Sequence, residues 1–361
     1  MFTALLFILV LVVLIISHEF GHFLAAKLFG VQVDEFGLGF PPKILGKKYG
    51  ETEYTLNWLP FGGFVKILGE DEAVEVKLPS SRSQTSTARN FSSQPAYKKI
   101  IILSAGVIGN LLLAWLLLSV SLQTGLLLPV EGVAHPEYLA NNKVVVGYVA
   151  DKSPAKVAGI VEGDQIVASA IDEVIQNVKA SAGKPVMLQI IHAGKKDSNT
   201  LTIKPEADEA GVFRIGVALD SMGEAHYPFF TAFTEGALMT GRFTKATFVG
   251  LYDFATGLFA KESTAGQVSG PVGIFKMVGS ASDMGLAYVL AFMALLSINL
   301  AVLNILPIPA LDGGRVLFVI IEKIKGSPLS PKFTQNVHSV GFALLILLML
   351  VISIHDVVKL F

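Results

Sequence analysis

His18-Glu19-Phe20-Gly21-His22 fits the pattern H-E-x-x-H inside an apolar, helix-favouring stretch. At about 100° per residue, His18 and His22 lie ~40° apart on one helical face, one turn apart, so both imidazoles can reach one metal ion. Glu19 then sits beside the metal without being needed as a ligand. Zinc lowers the pKa of a bound water to about 7, and a neighbouring carboxylate can take its proton as the water attacks a carbonyl carbon. A chance five-residue match is the competing explanation, and the location argues against it. An ionisable side chain at membrane depth costs roughly 2.5–3.5 kcal/mol on insertion scales, and such residues are functional by default.

A catalytic zinc needs a third protein ligand and an open position. The chain has no cysteine, which also excludes disulfides, iron–sulfur clusters and thiol nucleophiles. His135, His192 and His226 fall in a region of soluble composition, and His338 and His355 at the ends of the last apolar stretch. The better candidate is Asp312, behind Pro307 and Pro309 and ahead of Gly313-Gly314; an ordinary turn aspartate is the alternative reading. If zinc is bound, one ion per chain held by His18, His22 and Asp312 is expected.

The surrounding elements must lie in lipid. Only 16% of the 361 residues are charged and 52% are hydrophobic, against about 25% charged in a soluble domain. The net charge of −1 leaves no basic surface for nucleic acid. A membrane span needs ~20 mostly apolar residues, and four stretches qualify: Phe2 to about Phe29, Ile100–Val130, Met284–Leu311 and Val337–Ile354. The first has no Lys or Arg before the apolar run and becomes apolar again after His22, so it reads as a retained helix rather than a signal peptide. The expected class is a polytopic α-helical membrane protein with four transmembrane helices.

Its expected segments are 1–30 (first span), 31–68 (a strand-and-turn element), 69–97 (a linker), 98–128 (second span) and 129–227 (a small folded domain). Amphipathic surface helices over 228–283, the third span over 284–314, a loop over 315–336 and the fourth span over 337–361 complete the chain. The 31–68 element carries Gly37, Gly39, Pro41, Pro42, Gly62 and Gly63 around alternating runs such as Glu53–Trp58. It reads equally well as dipping into the membrane face or as a small soluble sheet. In the short segments beside the spans, ten Lys and Arg fall in 27–99 and four in 315–332, with none before the first span. Those loops therefore read as cytoplasmic, and both termini and the 129–227 domain as extracytoplasmic. His18 lies about 25 Å along its span, toward the cytoplasmic side, and Asp312 ends a span of the same direction. The three candidate ligands therefore arrive at similar depth.

Together, the His18–His22 motif, Asn304 to Gly314, the Gly39…Tyr54…Pro60 to Lys66 segment and Ser269-Gly270-Pro271-Val272-Gly273 make the sequence resemble a known family. That family is the site-2 protease family of intramembrane zinc metalloproteases, in its bacterial branch with a PDZ domain, the regulator-of-sigma-E protease type. The resemblance implies a zinc endopeptidase of the bacterial inner membrane, with Glu19 as the catalytic carboxylate and its site near the cytoplasmic face. It implies a membrane-associated β element over 31–66 that presents strand edges, including Gly62 and Gly63, to an unwound substrate. It also implies substrate contacts from Asn110 and Asn304, and an extracytoplasmic PDZ-like α+β domain carrying Ser153-Pro154-Ala155, Ala158-Gly159 and Gly163-Asp164. The implied partners are the lipid bilayer and single-pass membrane proteins, such as a tethered regulator or a signal-peptide remnant, already trimmed by another protease. Two departures stand out: Val107 occupies a position where the family commonly has Pro, and Ile166 to Val178 lacks the usual Asn-Gly hairpin. Asn110 could instead bond a neighbouring helix. A metal transporter and an inactive scaffold are the other classes considered. The first would need polar residues across spans two and four, where Asn110 stands almost alone, and the second would not need Glu19.

Overall fold

The computed structural model describes residues 2–70, 89–195, 197–208, 210–259 and 270–358. Most of the expected linker (71–88) and Ser269 lie outside them. Four described helices are long and apolar enough to cross a membrane: α1 (Phe2–Leu28), α2 (Ala96–Ser121), and two further on, α7 (Leu286–Ile305) and α9 (Pro331–Val358, apolar over Pro331–Ile354). The chain divides into two compact units. One holds Met1–Leu117, Ala237–Gly279 and Phe292–Phe361, the other Leu118–Gly236 and Ser280–Ala291.

In the first unit, β1 (Val33–Tyr49) and β2 (Thr52–Ile67) pair antiparallel, but not as a plain hairpin. The early part of β1 pairs on both sides. Phe36 faces Val65 and Tyr54, Gly37 faces Phe64 and Thr55, and Leu38 faces Gly63 and Leu56. The later part of β1 pairs only with the early part of β2, as Leu45 with Leu56 and Lys48 with Glu53. Each long strand folds over, at Pro41-Pro42 and near Gly62 (φ +103°), giving four segments in the order 62–67, 33–40, 52–59, 43–49, the two outer pairs antiparallel and the central pair, 33–40 with 52–59, in parallel register. Phe23 of α1 packs edge-on to Phe36, ring centroids 5.5 Å apart, and so fixes the sheet against the helix. Lys27 and Arg89 both bond the Glu51 carboxylate, at 2.6 and 2.7 Å, tying the β1–β2 turn to the end of α1. The Lys27 ammonium, with Arg89 behind it, holds that carboxyl below its usual range.

In the second unit, β3 (Leu127–Pro129), β4 (Leu139–Val149), β5 (Gln165–Ile166), β6 (Val186–Ile191), β7 (Ser198–Ile203) and β10 (Val217–Ala225) form a six-stranded sheet. Its order is β3-β10-β4-β5-β6-β7. Two short helices, α3 (Pro154–Val157) and α4 (Ile171–Ala180), accompany it, as does a small ribbon of β8 (Glu206–Ala207) and β9 (Phe213–Arg214). Val146, Ile160, Ile166, Ile190 and Ile203 form its core, each at most 1% exposed. Ser153 caps α3 by accepting from the Lys156 N–H at 3.2 Å. Fully buried Asp164 accepts from the Val161 and Ala193 N–H groups and faces His192 Nδ1 at 3.0 Å. These bonds close the Gly163-Asp164 turn.

Helical structure departs from expectation in three places. The second span closes at Ser121 rather than running to 128, and Leu127–Pro129 is already strand β3, whereas 228–283 holds helices as expected, α5 (Phe229–Phe259) and α6 (Pro271–Met284). The expected 315–336 loop begins with a further helix, α8 (Asp312–Lys325), carrying lysines in its last turn and closed by Gly326 at φ +73°. Helix α9 starts six residues before Val337, where Pro331 takes the first helical position and Ser330 Oγ accepts from the Phe333 N–H at 3.3 Å.

Candidate metal centre

Because α1 is continuous through residues 18–22, both imidazoles leave one face, and their Nε2 atoms lie 3.3 Å apart. Asp312 reaches the same point from another element. Pro307 and Pro309 end α7 at Ile305, and the chain turns through 306–311 before α8 starts at Asp312. Gly313 and Gly314 are required at this turn, since a Cβ on either would strike the carbonyls of Ile305, Leu306 and Ile308. Helix α9 supports the turn. His338 Nδ1 accepts from the Ala310 N–H at 3.0 Å, and Gly341 lets the Pro309 backbone close in. Arg315, one turn into α8, pairs with Glu70 just past β2.

Asp312 Oδ2 lies 3.0 Å from His18 Nε2 and 3.3 Å from His22 Nε2. The side chains are only 12%, 11% and 18% exposed, yet Asp312 Oδ2 accepts no hydrogen bond. Three lone-pair atoms converging in a buried space is the donor set of a metal. Zinc bonds of about 2.0–2.1 Å require tetrahedral edges of about 3.3–3.4 Å, which this triangle of 3.0, 3.3 and 3.3 Å approaches closely. No other group of three or more described His, Asp or Glu side chains converges this way. His22 Nδ1 donates to the Ile102 carbonyl at 2.8 Å, so the proton is held there and Nε2 keeps its lone pair.

Helix α2 comes close enough to supply that carbonyl through small residues. Ser17 and Gly21 on α1 face Ala105 and Gly109 on α2, and Ser17 Oγ donates to the Gly109 carbonyl at 3.0 Å. Gly106 lies directly behind the imidazoles: a Cβ there would collide with His22 Nε2 and stand 2.7 Å from His18 Cε1. The sequence reading gave Gly106 no role. Its signal was present in the two small-x-x-x-small pairs, 17/21 and 105/109, which mark close helix crossings in membranes. Replacing Gly106 with Ala is expected to lower zinc affinity at least ~100-fold, beyond the range of an outer-shell loss. Competition with a chromogenic chelator on the purified membrane protein checks this, and wild-type zinc affinity in the variant would refute it.

The other predicted residues separate clearly. Glu19 faces the sheet, where a Cβ on Gly63 would come within 3.0 Å of its Cγ. Asn304 near the end of α7 places Nδ2 3.5 Å from His18 Nε2. Gly62 lies at the bend that starts the 62–67 segment. Asn110 is fully buried beside His18 rather than facing an open surface, with Nδ2 3.3 Å from His18 Nδ1.

Four apolar helices and a buried His-His-carboxylate triangle with an adjacent glutamate define a membrane metallopeptidase. The chain belongs to peptidase family M50, whose model matches residues 6–348, and it is a zinc metalloprotease. It is 34% identical to a putative zinc metalloprotease of Clostridium perfringens over 96% of this chain and 95% of the relative. It is 31% identical to the zinc metalloprotease RasP of Geobacillus kaustophilus, covering 98% and 97% of the two chains. It is also 31% identical to the regulator of sigma-W protease RasP of Bacillus subtilis, covering 99% of each.

Proposed function

We propose that this zinc metalloprotease cuts single-pass membrane proteins within or beside their spans, as a step of regulated intramembrane proteolysis. The observation that carries the proposal is the convergence of His18, His22 and Asp312 inside the bundle of apolar helices, with Glu19 beside them facing Gly63. His18, His22 and Asp312 hold the zinc. When bound, it supplies Lewis acidity that polarises the scissile carbonyl and brings the pKa of water to about 7.

Glu19 takes the proton of the attacking water at its carboxylate and returns it to the leaving nitrogen. The Asn304 amide, near His18, donates toward the carbonyl oxygen as charge builds there. The substrate span must unwind before its carbonyl reaches Glu19, and its freed N–H and C=O groups then need partners. The 62–67 segment meets that need. Among the described residues its ladder partners lie only in β1, so its other edge is open, and Gly63 places that edge against Glu19. Strand addition along Gly62, Gly63, Phe64 and Val65 would lay the substrate across the site.

In this reading the protein spans the bacterial inner membrane, with both termini and the six-stranded unit outside the cytoplasm. That unit is PDZ-like and guards access, admitting substrates already trimmed by another protease. The name of the Bacillus subtilis relative, regulator of sigma-W protease, supports a membrane-tethered regulator as the substrate class.

The test is cleavage of a single-pass substrate in proteoliposomes, with the cut mapped by mass spectrometry. A zinc-dependent cut within or beside the span is expected, and cuts confined to the soluble parts would reject the proposal. Proline substitution at the 62–67 residue whose N–H points away from β1 removes one edge donor, and a roughly tenfold or greater loss of kcat/KM with unchanged zinc content is expected for one lost buried backbone hydrogen bond.

A further inference from the structure

We propose that Asn110 is a positioning residue for the zinc site: its side-chain oxygen accepts the Nδ1 proton of His18 and so fixes the imidazole with Nε2 aimed at the metal. This rests on the assignment of His18 as a ligand. A neutral imidazole that presents a lone pair at Nε2 must carry its proton at Nδ1, and a buried N–H needs an acceptor. For His22 the acceptor is the Ile102 carbonyl at 2.8 Å. For His18 the polar atom opposite Nδ1 is the Asn110 carboxamide at 3.3 Å, and Asn110 Oδ1 is itself buried without a hydrogen-bond partner.

One half-turn of the carboxamide places Oδ1 opposite the Nδ1 proton. The two ends of an amide have nearly the same shape, so the turn requires no other movement. Asn110 is held firmly for the task. It is 0% exposed, and its backbone carbonyl accepts from the Ser297 hydroxyl of α7 at 2.8 Å, itself 0% exposed. Gly106, one turn earlier on α2, leaves the room in which both imidazoles sit. One face of α2 therefore orients both histidines, His22 through a backbone carbonyl and His18 through a side chain.

Zinc affinity, measured by competition with a chromogenic chelator on the purified full-length protein, is the readout. Asn110→Ala is expected to weaken zinc ~10–100-fold, the usual effect of losing an outer-shell partner. Asn110→Asp keeps an acceptor at Nδ1 and is expected to bind zinc at least as tightly as the wild type. If Asn110 instead donated to the substrate backbone, both variants would keep wild-type zinc affinity and only KM would rise, which overturns the proposal.

His18→Ala is the control on the ligand set. Wild-type zinc affinity in that variant would reject the ligand set itself. Loss there with wild-type affinity in Asn110→Ala would reject only the role of Asn110. The unaltered zinc-loaded protein gives an independent reading should neither variant fold. Nitrogen-15 histidine NMR is expected to show a slowly exchanging proton on His18 Nδ1, and rapid exchange with solvent would overturn the proposal.

Discussion

Replacing Glu19 with Gln is expected to lower kcat/KM for a single-pass substrate by about 10²–10⁴-fold, the contribution of a positioned general base, while zinc remains bound. The glutamate is not one of the three converging ligand atoms, so its amide leaves the triangle of His18, His22 and Asp312 intact. The amide is nearly isosteric with the carboxylate and preserves the contact with Gly63, but it cannot accept a proton at working pH. Activity in proteoliposomes and zinc content should therefore separate. A variant keeping more than about a tenth of wild-type kcat/KM would remove Glu19 from the mechanism, because such a loss is far below that expected of a general base.

Asp312→Asn should produce the opposite pattern, losing zinc and activity together. The triangle then has two neutral imidazoles and a neutral amide, with no negative charge to offset the divalent ion. Zinc affinity is expected to fall by more than the ~10–100-fold typical of an outer-shell loss. Asn is the conservative choice, because Asp312 opens α8, where either side chain tolerates a helix start. The helix should therefore persist. The check is thermal unfolding with and without chelator. Ligand present at 100 times its dissociation constant stabilises the wild type by about 2.7 kcal/mol, so zinc should raise its midpoint. The two curves of the variant should coincide, and a wild-type zinc-dependent shift would remove Asp312 from the ligand set.

Both predictions depend on residues that stand out in the sequence. The H-E-x-x-H pattern is local, and a helix converts a spacing of four into one shared face whatever lies around it. The four apolar helices are legible for a similar reason: length and composition alone decide whether a helix can satisfy its backbone in lipid. The end of α7 is readable because Pro307 and Pro309 cannot continue it.

Features that depend on contact between distant segments were not legible. The two strands read as simple alternation. That β1 pairs on both faces, so that 62–67 becomes an edge beside Glu19, depends on where each strand folds over. Helix α8 reads as loop from the sequence because its 14 residues, half of them apolar, are too few to span a membrane.

By itself, the sequence determined a zinc chemistry built on His18, Glu19 and His22 within an apolar helix, because those properties follow from spacing and composition. Only the tertiary structure decided how that chemistry is aimed. It brought Asp312 across nearly 300 residues to within 3.0 Å of His18, set Gly106 and Asn110 behind the imidazoles, and placed Gly63 against Glu19. Each of these is a close approach between elements far apart in the chain. Such an approach is settled by which small residues let two backbones meet, a property of pairs of surfaces that no single stretch of sequence contains.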